Sequence, residues 1–390
     1  MREVVIVDGC RTAVGRRKGM FKDYRPDELA AVVLNNLAER SNLDKGTVED
    51  VILGCVTQVN EQGGNIARTA ALIAGFPKHV PGVTIDRQCG SSQQAVHFGA
   101  QAIASGDMEI VIAGGVESMT RAPMFFNMGD SKPSKQLTEK YEIVNQGISA
   151  EKIADQWNFT RKQLDEFSLS SHENALNAIR EGKYKKEIIP VEVTGEDGSL
   201  NTISVDEGPR ENSGVDALGG LKTVFKEDGK ITAGNASQMS DGASAVLLMS
   251  KEKAEELGLM PKAKIIARTV VGSDPTLMLT GPIEATRKVL GKANLSIEDM
   301  DRYEVNEAFA PVPLAWLQDV GADPAKLNVN GGAIALGHPL GATGTKLLVS
   351  LMHELERIDG KYGLLAICEG MGMANATIIE RIGQEEHGWN

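Results

Sequence analysis

The stretch GVTIDRQCGSSQQAVHFGAQAI, residues 82–103, begins as a strand-like segment and continues, after one cysteine and a glycine, with the apolar spacing of a helix. Cys89 stands at this junction and outside any apolar run, which is not where a buried filler cysteine is expected. A thiol at the N-terminus of a helix faces unpaired N–H groups and the positive end of the helix dipole, so the position predicts a stabilised thiolate. Gly90 then allows a substrate to approach the backbone closely.

A second stretch of the chain repeats this arrangement. LNVNGGAIALGHPLGATGTKLLVSLMHEL, residues 327–355, also runs from a strand-like segment through a glycine-rich turn into a long helix. The turn contains His338, with little side-chain bulk around it. Two equivalent helix N-termini that met across a pseudo-two-fold axis would bring Cys89 and His338 together. Cysteine and histidine are a nucleophile and base for acyl transfer, so the sequence predicts this catalytic pair.

The elements around the two stretches follow the same order. Each copy has a strand, a helix and a strand before the glycine-containing turn and long helix, and each ends with a further strand. This order predicts an internal duplication of a βαβ-type α/β unit, in which each parallel sheet is covered by helices that are buried against the other copy. The predicted domains are a first core (1–119 and 241–262), an inserted, charged loop or lid domain (120–240) and a second core (263–390).

The composition narrows the classes of function. The chain has 390 residues and a formal net charge of −12, which argues against a nucleic-acid partner or an anionic membrane surface. Its four cysteines form no CxxC pair or Cys/His cluster, which argues against zinc and for a reducing compartment. No apolar run approaches the length needed to cross a bilayer, so a cytoplasmic protein is expected.

Two further motifs carry groups suited to carbon chemistry. Cys368, in CEGMG, is expected to follow the last strand at a glycine-rich turn, and a second thiol near the first can act as acid or base toward a carbon. Asn306, in NEAFA, is expected at the end of the preceding strand, where its amide can help to hold an oxyanion. The other two cysteines, Cys10 and Cys55, are expected to be buried and inert.

Six motifs follow one another along the chain: RQCGSS, GGVESMTRAPM, NASQMSDGASAVLLMS, NEAFA, GGAIALGHPLGATG and CEGMG. Together they resemble the thiolase family over essentially the whole chain. The resemblance implies a five-layered αβαβα thiolase fold, with two duplicated core domains of the βαβαβαββ type and an inserted loop domain over the active site. It also implies an acyltransferase of fatty-acid metabolism and β-oxidation. Coenzyme A would be its co-substrate, with no tightly bound cofactor, in a homodimer or homotetramer.

The resemblance implies a role for each motif residue. Cys89 resembles the nucleophile that becomes S-acylated, and His338 resembles the base that deprotonates Cys89 and later the incoming CoA thiol. Cys368 would exchange the proton at C2 of acetyl-CoA. Asn306, through a water, and His338 would hold the enolate oxygen, and the backbone N–H groups of Cys89 and Gly370 would surround the acyl-enzyme carbonyl. The implied reaction is reversible, ping-pong cleavage of 3-ketoacyl-CoA to acetyl-CoA and a shortened acyl-CoA.

Two other positions match substrate-contacting residues of the family. Ser237 would contact the pantetheine arm of CoA, and Phe309 would line the acyl pocket. Three departures affect the shape of that pocket. Asn145 and Gln146 replace the His-Met pair of acetoacetyl-CoA-specific biosynthetic members, and Met371 replaces a glycine that is common in the terminal motif. The sequence therefore leaves open the acyl chain length and the direction of the reaction.

Two alternative functions share parts of this pattern. A ketoacyl synthase-like condensing enzyme also uses a cysteine, but such relatives typically pair it with two histidines or a His/Asn pair and lack a second cysteine. The presence of Cys368 argues against that alternative. A non-catalytic CoA- or lipid-binding relative is expected to have lost Cys89, His338 or Cys368, and all three are present. The thiolase hypothesis is therefore favoured.

Overall fold

The computed structural model of the protein describes residues 2–195, 197–211 and 214–383. The strands in these ranges, numbered in chain order, are β1 (Val4–Thr12), β2 (Gly15–Arg16), β3 (Asp50–Gly54), β4 (Gly82–Ile85), β5 (Ile110–Ser118), β6 (Ile188–Ile189), β7 (Val191–Thr194), β8 (Leu200–Ile203), β9 (Ser240–Ser250), β10 (Ala263–Gly272), β11 (Arg302–Val305), β12 (Tyr362–Glu369) and β13 (Met373–Arg381). The helices are α1 (Pro26–Arg40), α2 (Ile66–Ile73), α3 (Ser91–Ser105), α4 (Lys135–Thr138), α5 (Gln146–Gln156), α6 (Arg161–Arg180), α7 (Val215–Gly219), α8 (Lys251–Glu256), α9 (Gly281–Ala293), α10 (Pro311–Val320), α11 (Ala333–Leu336) and α12 (Thr343–Ile358).

The two halves of the chain form half-sheets with the same strand order. In the first half the order is β4-β3-β5-β9-β1, and in the second half it is β11-β12-β13-β10. Where the first half has β4 beside β3, the second half has a parallel bridge between Leu327 and Tyr303 of β11. The predicted duplication is therefore present in the strand topology.

The prediction of parallel sheets is only partly right, because each half-sheet is mixed. Strands β3, β4 and β5 are parallel, as are β11 and β12, but β9 and β13 run antiparallel to their neighbours. Strands β12 and β13 are joined by only three residues, 370–372, and so short a connection can form only an antiparallel hairpin. In the first half the equivalent pair is β5 and β9, whose register begins at Ser118 and Asp241, so the long insertion takes the place of that hairpin turn.

The helices lie in three layers around the half-sheets. Helices α3 and α12 pack against each other and contribute to one apolar core that includes β5 and β9 of the first half and β12 and β13 of the second. Helices α1 and α2 cover the outer face of the first half-sheet, and α9 and α10 cover that of the second. Alternate residues of β1 face opposite cores, since Val5 and Val7 pack against α1 while Val4 and Ile6 pack in the central core. The predicted five-layered αβαβα fold is confirmed.

The two half-sheets are joined by one short strand pairing. Strands β1 and β10 pair only at Val5–Lys264 and Ile6–Ala263. The inserted region contributes α5 and α6, whose apolar side chains share a core with Phe309, Ile334 and Cys368 of the second half. The insertion therefore lies over the carboxyl ends of β11 and β12. None of the described helices is long and apolar enough to cross a membrane.

Candidate active site

The N-termini of α3 and α12 meet, as the sequence pattern predicts. The backbone N–H of Thr345 donates to Ser92 Oγ over 3.0 Å, which joins the first turns of the two helices. A Cβ atom at Gly344 would overlap the backbone nitrogen of Gln93, so only glycine permits this approach. The turn that carries Cys89 and the loop that carries His338 are thereby brought to the same end of the central helical layer.

A buried glutamate, Glu117, hydrogen-bonds the loop that carries His338 and holds it against the first half of the molecule. Its Oε2 accepts the backbone N–H groups of Val56 at 2.9 Å and Gly341 at 2.8 Å. Its Oε1 accepts the backbone N–H of Thr57 at 3.0 Å and the Gln62 amide at 2.9 Å. Burial raises the pKa of this carboxyl, and the four donors oppose that rise. Glu117 is not among the predicted site residues, although an acid inside the apolar strand β5 is a signal of a buried polar role.

The backbone of His338 is anchored to the segment that precedes β9. Its N–H lies 3.0 Å from the Gln238 carbonyl and 3.2 Å from Ser240 Oγ. The preceding residue, Gly337, has a φ of +95°, and a Cβ there would overlap Ser240 Oγ. A side chain at position 337 is therefore excluded both by backbone strain and by contact.

The ring of His338 is held in one tautomer by its neighbours. Its Nδ1 lies 2.6 Å from Thr343 Oγ1, and the same hydroxyl donates to the Pro339 carbonyl over 2.9 Å. Since the hydroxyl proton is used on Pro339, Thr343 accepts from Nδ1–H, and Nε2 keeps its lone pair. Burial, and then the charge of Lys346, lower the pKa of His338 to about 3, so the imidazole is neutral at neutral pH.

Replacing Thr343 with valine is expected to lower kcat by ~10- to 100-fold, because the Nδ1–H of His338 loses its acceptor and the ring loses its fixed tautomer. Steady-state rates of the reaction that the family resemblance implies, compared for T343V and T343S, measure the effect. T343S keeps the hydroxyl and is expected to recover most of the activity. A T343V enzyme with unchanged kcat would contradict a positioning role for this hydroxyl.

Asn306 and Cys368 lie at the carboxyl ends of adjacent parallel strands. Asn306 directly follows β11, and its Nδ2 lies 3.4 Å from His338 Nε2. Its side chain also lies close enough to the Cys368 thiol to lower the pKa of that thiol. Burial, and then the neighbouring Glu369, raise the pKa of Cys368 to about 12. The expectation that Cys368 follows the last strand was wrong, since it lies inside β12 and β13 comes after it.

Cys89 is buried next to the second thiol, with 5% of its surface exposed. Burial raises the pKa of Cys89 well above its usual value, and the neighbouring Cys368 and Glu369 raise it further. The predicted stabilised thiolate is therefore wrong for this structure. The loss of water and the nearby acidic groups outweigh the end of helix α3, which starts two residues later with Gly90 as its N-cap. The resting pair is thus a neutral thiol and a neutral imidazole.

Gly370 places its backbone beside the turn that carries the nucleophile. A Cβ at this position would lie 3.2 Å from Gln88 Oε1 and 3.4 Å from Gln146 Nε2. Gln88 directly precedes Cys89, and Gln146 begins helix α5 of the insertion. Gln146, which replaces the methionine of the acetoacetyl-CoA-specific biosynthetic members, therefore points at Gly370.

The two predicted substrate-contacting residues lie on the insertion side of the site. The backbone N–H of Ser237 donates to the Ala308 carbonyl over 2.9 Å, and Ala236 forms an isolated bridge with Phe309. The Phe309 ring packs edge-on against Phe225, with centroids 6.0 Å apart. Phe309 is thus part of the NEAFA loop, and Ser237 lies next to that loop.

The structure brings the predicted residues into one region at the carboxyl ends of the strands. The Asn306 amide lies 3.4 Å from His338 Nε2 and lowers the pKa of Cys368, and Cys368 in turn raises the pKa of Cys89. Cys10 and Cys55 are fully buried and lie outside this group, as expected. Sequence reasoning missed three buried polar residues around the site, namely Glu117, Thr343 and Glu369.

This combination of a duplicated αβαβα fold with two cysteines and a histidine defines a class of protein, the acyl-transferring enzymes that work through cysteine. Family comparisons identify the particular family. The model described as thiolase, N-terminal domain, matches residues 4–252, and the model described as thiolase, C-terminal domain, matches residues 259–381. The chain belongs to the thiolase family and is an acyltransferase.

Individual relatives agree with this assignment. The chain is 50% identical to steroid 3-ketoacyl-CoA thiolase FadA6 of Mycobacterium tuberculosis, over 98% of this chain and 95% of that protein. It is 43% identical to a 3-ketoacyl-CoA thiolase of Bacillus subtilis, over 97% of this chain and 100% of the relative. The crystal structure of the Bacillus anthracis acetyl-CoA acetyltransferase superposes with a TM-score of 0.91 at 40% identity, covering 98% of this chain and 99% of that one.

Proposed function

We propose that the protein cleaves 3-ketoacyl-CoA with coenzyme A, and catalyses the reverse condensation, through an S-acyl intermediate on Cys89. The observation that carries this proposal is that the Asn306 amide lies 3.4 Å from His338 Nε2 and lowers the pKa of the Cys368 thiol, while Cys368 in turn raises the pKa of Cys89. One base, one nucleophile and one further acid therefore share a site. A ketoacyl synthase-like enzyme has no use for the second thiol.

In the first half-reaction, the Cys89 sulfur attacks the C3 ketone while its proton passes to His338 Nε2. A pKa of about 3 makes the imidazole too weak a base to hold a resting thiolate, so proton transfer accompanies bond formation. The C2–C3 bond breaks and its electrons form an enolate. Asn306 and His338 stabilise the enolate oxygen, and the backbone N–H groups of Cys89 and Gly370 stabilise the oxyanion at C3.

Cys368 then supplies the proton that completes acetyl-CoA. With a pKa of about 12, its thiol is protonated in the resting enzyme, which suits a proton donor to the C2 carbanion. The proton that His338 took from Cys89 passes to the Cys368 thiolate, which restores the neutral imidazole and the second thiol. In the second half-reaction, CoA gives its thiol proton to His338 and attacks the acyl group on Cys89. The thioester of Cys89 breaks, the shortened acyl-CoA leaves, and the Cys89 sulfur takes the proton back from His338, which restores its thiol.

The acyl group of the substrate is proposed to be larger than acetoacetyl. Gln146 stands where a methionine narrows the pocket in acetoacetyl-CoA-specific members, and its amide lies beside Gly370. The half-buried Gln88 and Gln146 and the aromatic pair of Phe309 and Phe225 would then form the walls around the acyl chain. The 50% identical relative is named for a steroid 3-ketoacyl-CoA substrate, which supports a large acyl group.

The assembly, location and co-substrate belong to the same proposal. A homodimer or homotetramer is supported by the sheet edge at β4, where Val83 is 41% exposed, and by Phe98 on the adjacent helix α3, which is 40% exposed. A cytoplasmic location is supported by four free cysteines. Coenzyme A acts as co-substrate, with no tightly bound cofactor, because the proposed steps need only the side chains described above.

Trapping the intermediate tests the proposed function. Incubation with 3-ketoacyl-CoA substrates of increasing acyl size, followed by acid quench and peptide mass spectrometry, is expected to show the acyl mass on the Cys89 peptide. Thiolysis, measured as the initial rate of acetyl-CoA release in the presence of CoA, is expected to have a higher kcat/KM for acyl groups larger than acetoacetyl. An acyl adduct on any other residue would contradict the nucleophile, and a maximum at acetoacetyl-CoA would contradict the substrate class.

A further inference from the structure

Glu369 is a buried acid that the proposed mechanism does not use. It directly follows Cys368 at the end of β12, and none of its surface is exposed. Neither carboxyl oxygen has a hydrogen-bond partner among the described residues. Burial of an unpaired carboxylate is strongly unfavourable, so such a group persists most easily in its uncharged form.

The carboxyl of Glu369 lies between the two segments that carry the reacting sulfurs. Its Oε1 is so close to Gly90 that a Cβ there would overlap it, and Gly90 directly follows Cys89. A negative charge on Glu369 acts on both thiols, Cys89 and Cys368. No other buried acid in the described part of the chain contributes to the pKa shifts of both sulfurs as strongly.

Two charged groups face Glu369 from the turn before α3, and they act in opposite directions. Arg87 lowers the pKa of Glu369 and Asp86 raises it, but burial is the largest effect, and together they set the pKa at about 8. Arg87 does not pair with Glu369, because the contact of its guanidinium is with Met373 Sδ, at 3.7 Å. The carboxyl is therefore mostly uncharged at pH 7.

We propose that Glu369 is a positioning residue that acts through the two thiols: uncharged, it permits negative charge to develop on the sulfurs and enolate, and ionised at alkaline pH, it opposes that charge. The inference rests on the proposed roles of Cys89 and Cys368. It makes a weaker rise of thiol reactivity at alkaline pH a property of this chain, caused by one acid at the end of β12.

The sign of the pH effect follows from the charges. Well below pH 8 Glu369 is mostly uncharged, and each thiol loses its proton against burial and the other neighbouring groups. As pH rises through about 8, Glu369 ionises, and its like charge raises the pKa of both thiols. The ordinary rise of thiol reactivity with pH is thereby flattened in the native enzyme.

The pH dependence of Cys89 alkylation tests this inference without relying on turnover. The second-order rate of iodoacetamide modification at Cys89, read by peptide mass spectrometry from pH 6.5 to 10, is expected to rise more steeply in E369Q than in the native enzyme. The ratio of rates at pH 9 and pH 7 is expected to be ~3- to 10-fold larger in E369Q. The kcat/KM for thiolysis is expected to show the same steepening.

Two further variants keep the outcome clear. E369L is also uncharged and fills a similar volume but brings no amide into the buried site, so it is expected to show the same steeper profile even if the amide of E369Q disturbs folding. E252Q removes the same charge from an exposed position on α8 and is expected to behave as the native enzyme. Native-like alkylation profiles in both E369Q and E369L would overturn the inference. If instead alkylation of Cys89 left turnover intact, the proposed function would fail while the Glu369 profiles remained readable.

Discussion

Replacing Cys89 with serine is expected to lower kcat for thiolysis by ~10⁴-fold or more, because the variant cannot form the thioester intermediate. The serine hydroxyl is a far weaker acid than the thiol, and a His338 with a pKa of about 3 cannot deprotonate it. An oxygen ester, if formed, is also less reactive toward CoA than a thioester. Steady-state release of acetyl-CoA from a 3-ketoacyl-CoA measures the loss.

A matched control for this variant is available in the same core. Cys10 is fully buried, and its sulfur lies 3.7 Å from the Val33 carbonyl, so a serine there can make the same hydrogen bond. C10S is expected to keep near-native turnover. Circular dichroism and thermal unfolding of both variants separate folding from chemistry. Thiolysis by well-folded C89S within tenfold of the native rate would refute the nucleophile assignment.

Replacing Cys368 with alanine is expected to slow carbon–carbon cleavage much more than acylation of Cys89. Carbon–carbon cleavage should fall by ~10³-fold, since the C2 carbanion loses its proton donor. Acylation of Cys89 by acetyl-CoA involves no bond at C2, so it should stay within ~10-fold of the native rate. The rate at which acetyl groups pass from acetyl-CoA to a CoA analogue measures acylation. Exchange of the C2 protons of acetyl-CoA with deuterated water measures the carbon chemistry.

C10A serves as the control for C368A, because it removes the same atoms from another fully buried position. It is expected to leave both rates near native. Equal loss of acylation and proton exchange in C368A would show that the residue supports the whole site and not the carbon step alone. Retention of proton exchange would show that another group supplies the proton.

Much of the fold could be predicted because the chain contains its architecture twice. The repeated order of strand, helix and glycine-rich turn predicts the duplication, and a helix that is apolar on a broad face, such as α12, needs a partner for burial. The strand directions could not be predicted in the same way. The antiparallel course of β13 follows from a three-residue connection, and that of β9 is obscured because the insertion separates it from β5.

The residues of the candidate site could likewise be predicted only in part from the sequence. Cys89, His338, Cys368 and Asn306 were recognisable because reactive side chains stand beside glycines at strand and helix ends. Thr343 and Glu117 were not, because their importance lies in which distant atoms they contact. An acid inside an apolar strand indicates a buried polar group, but neither it nor a threonine on a helix shows in the sequence which histidine ring or loop N–H it will bond.

By itself, the sequence determined the class of chemistry and the duplicated scaffold, since residue type and order are local properties of the chain. The tertiary structure alone decided the charge states. Burial and neighbouring acids, which depend on residues far apart in sequence, keep Cys89 a thiol, His338 a neutral imidazole and Glu369 close to its ionisation point. Proton affinity is set by the solvent and charges around a group, and these exist only once the two halves have packed together.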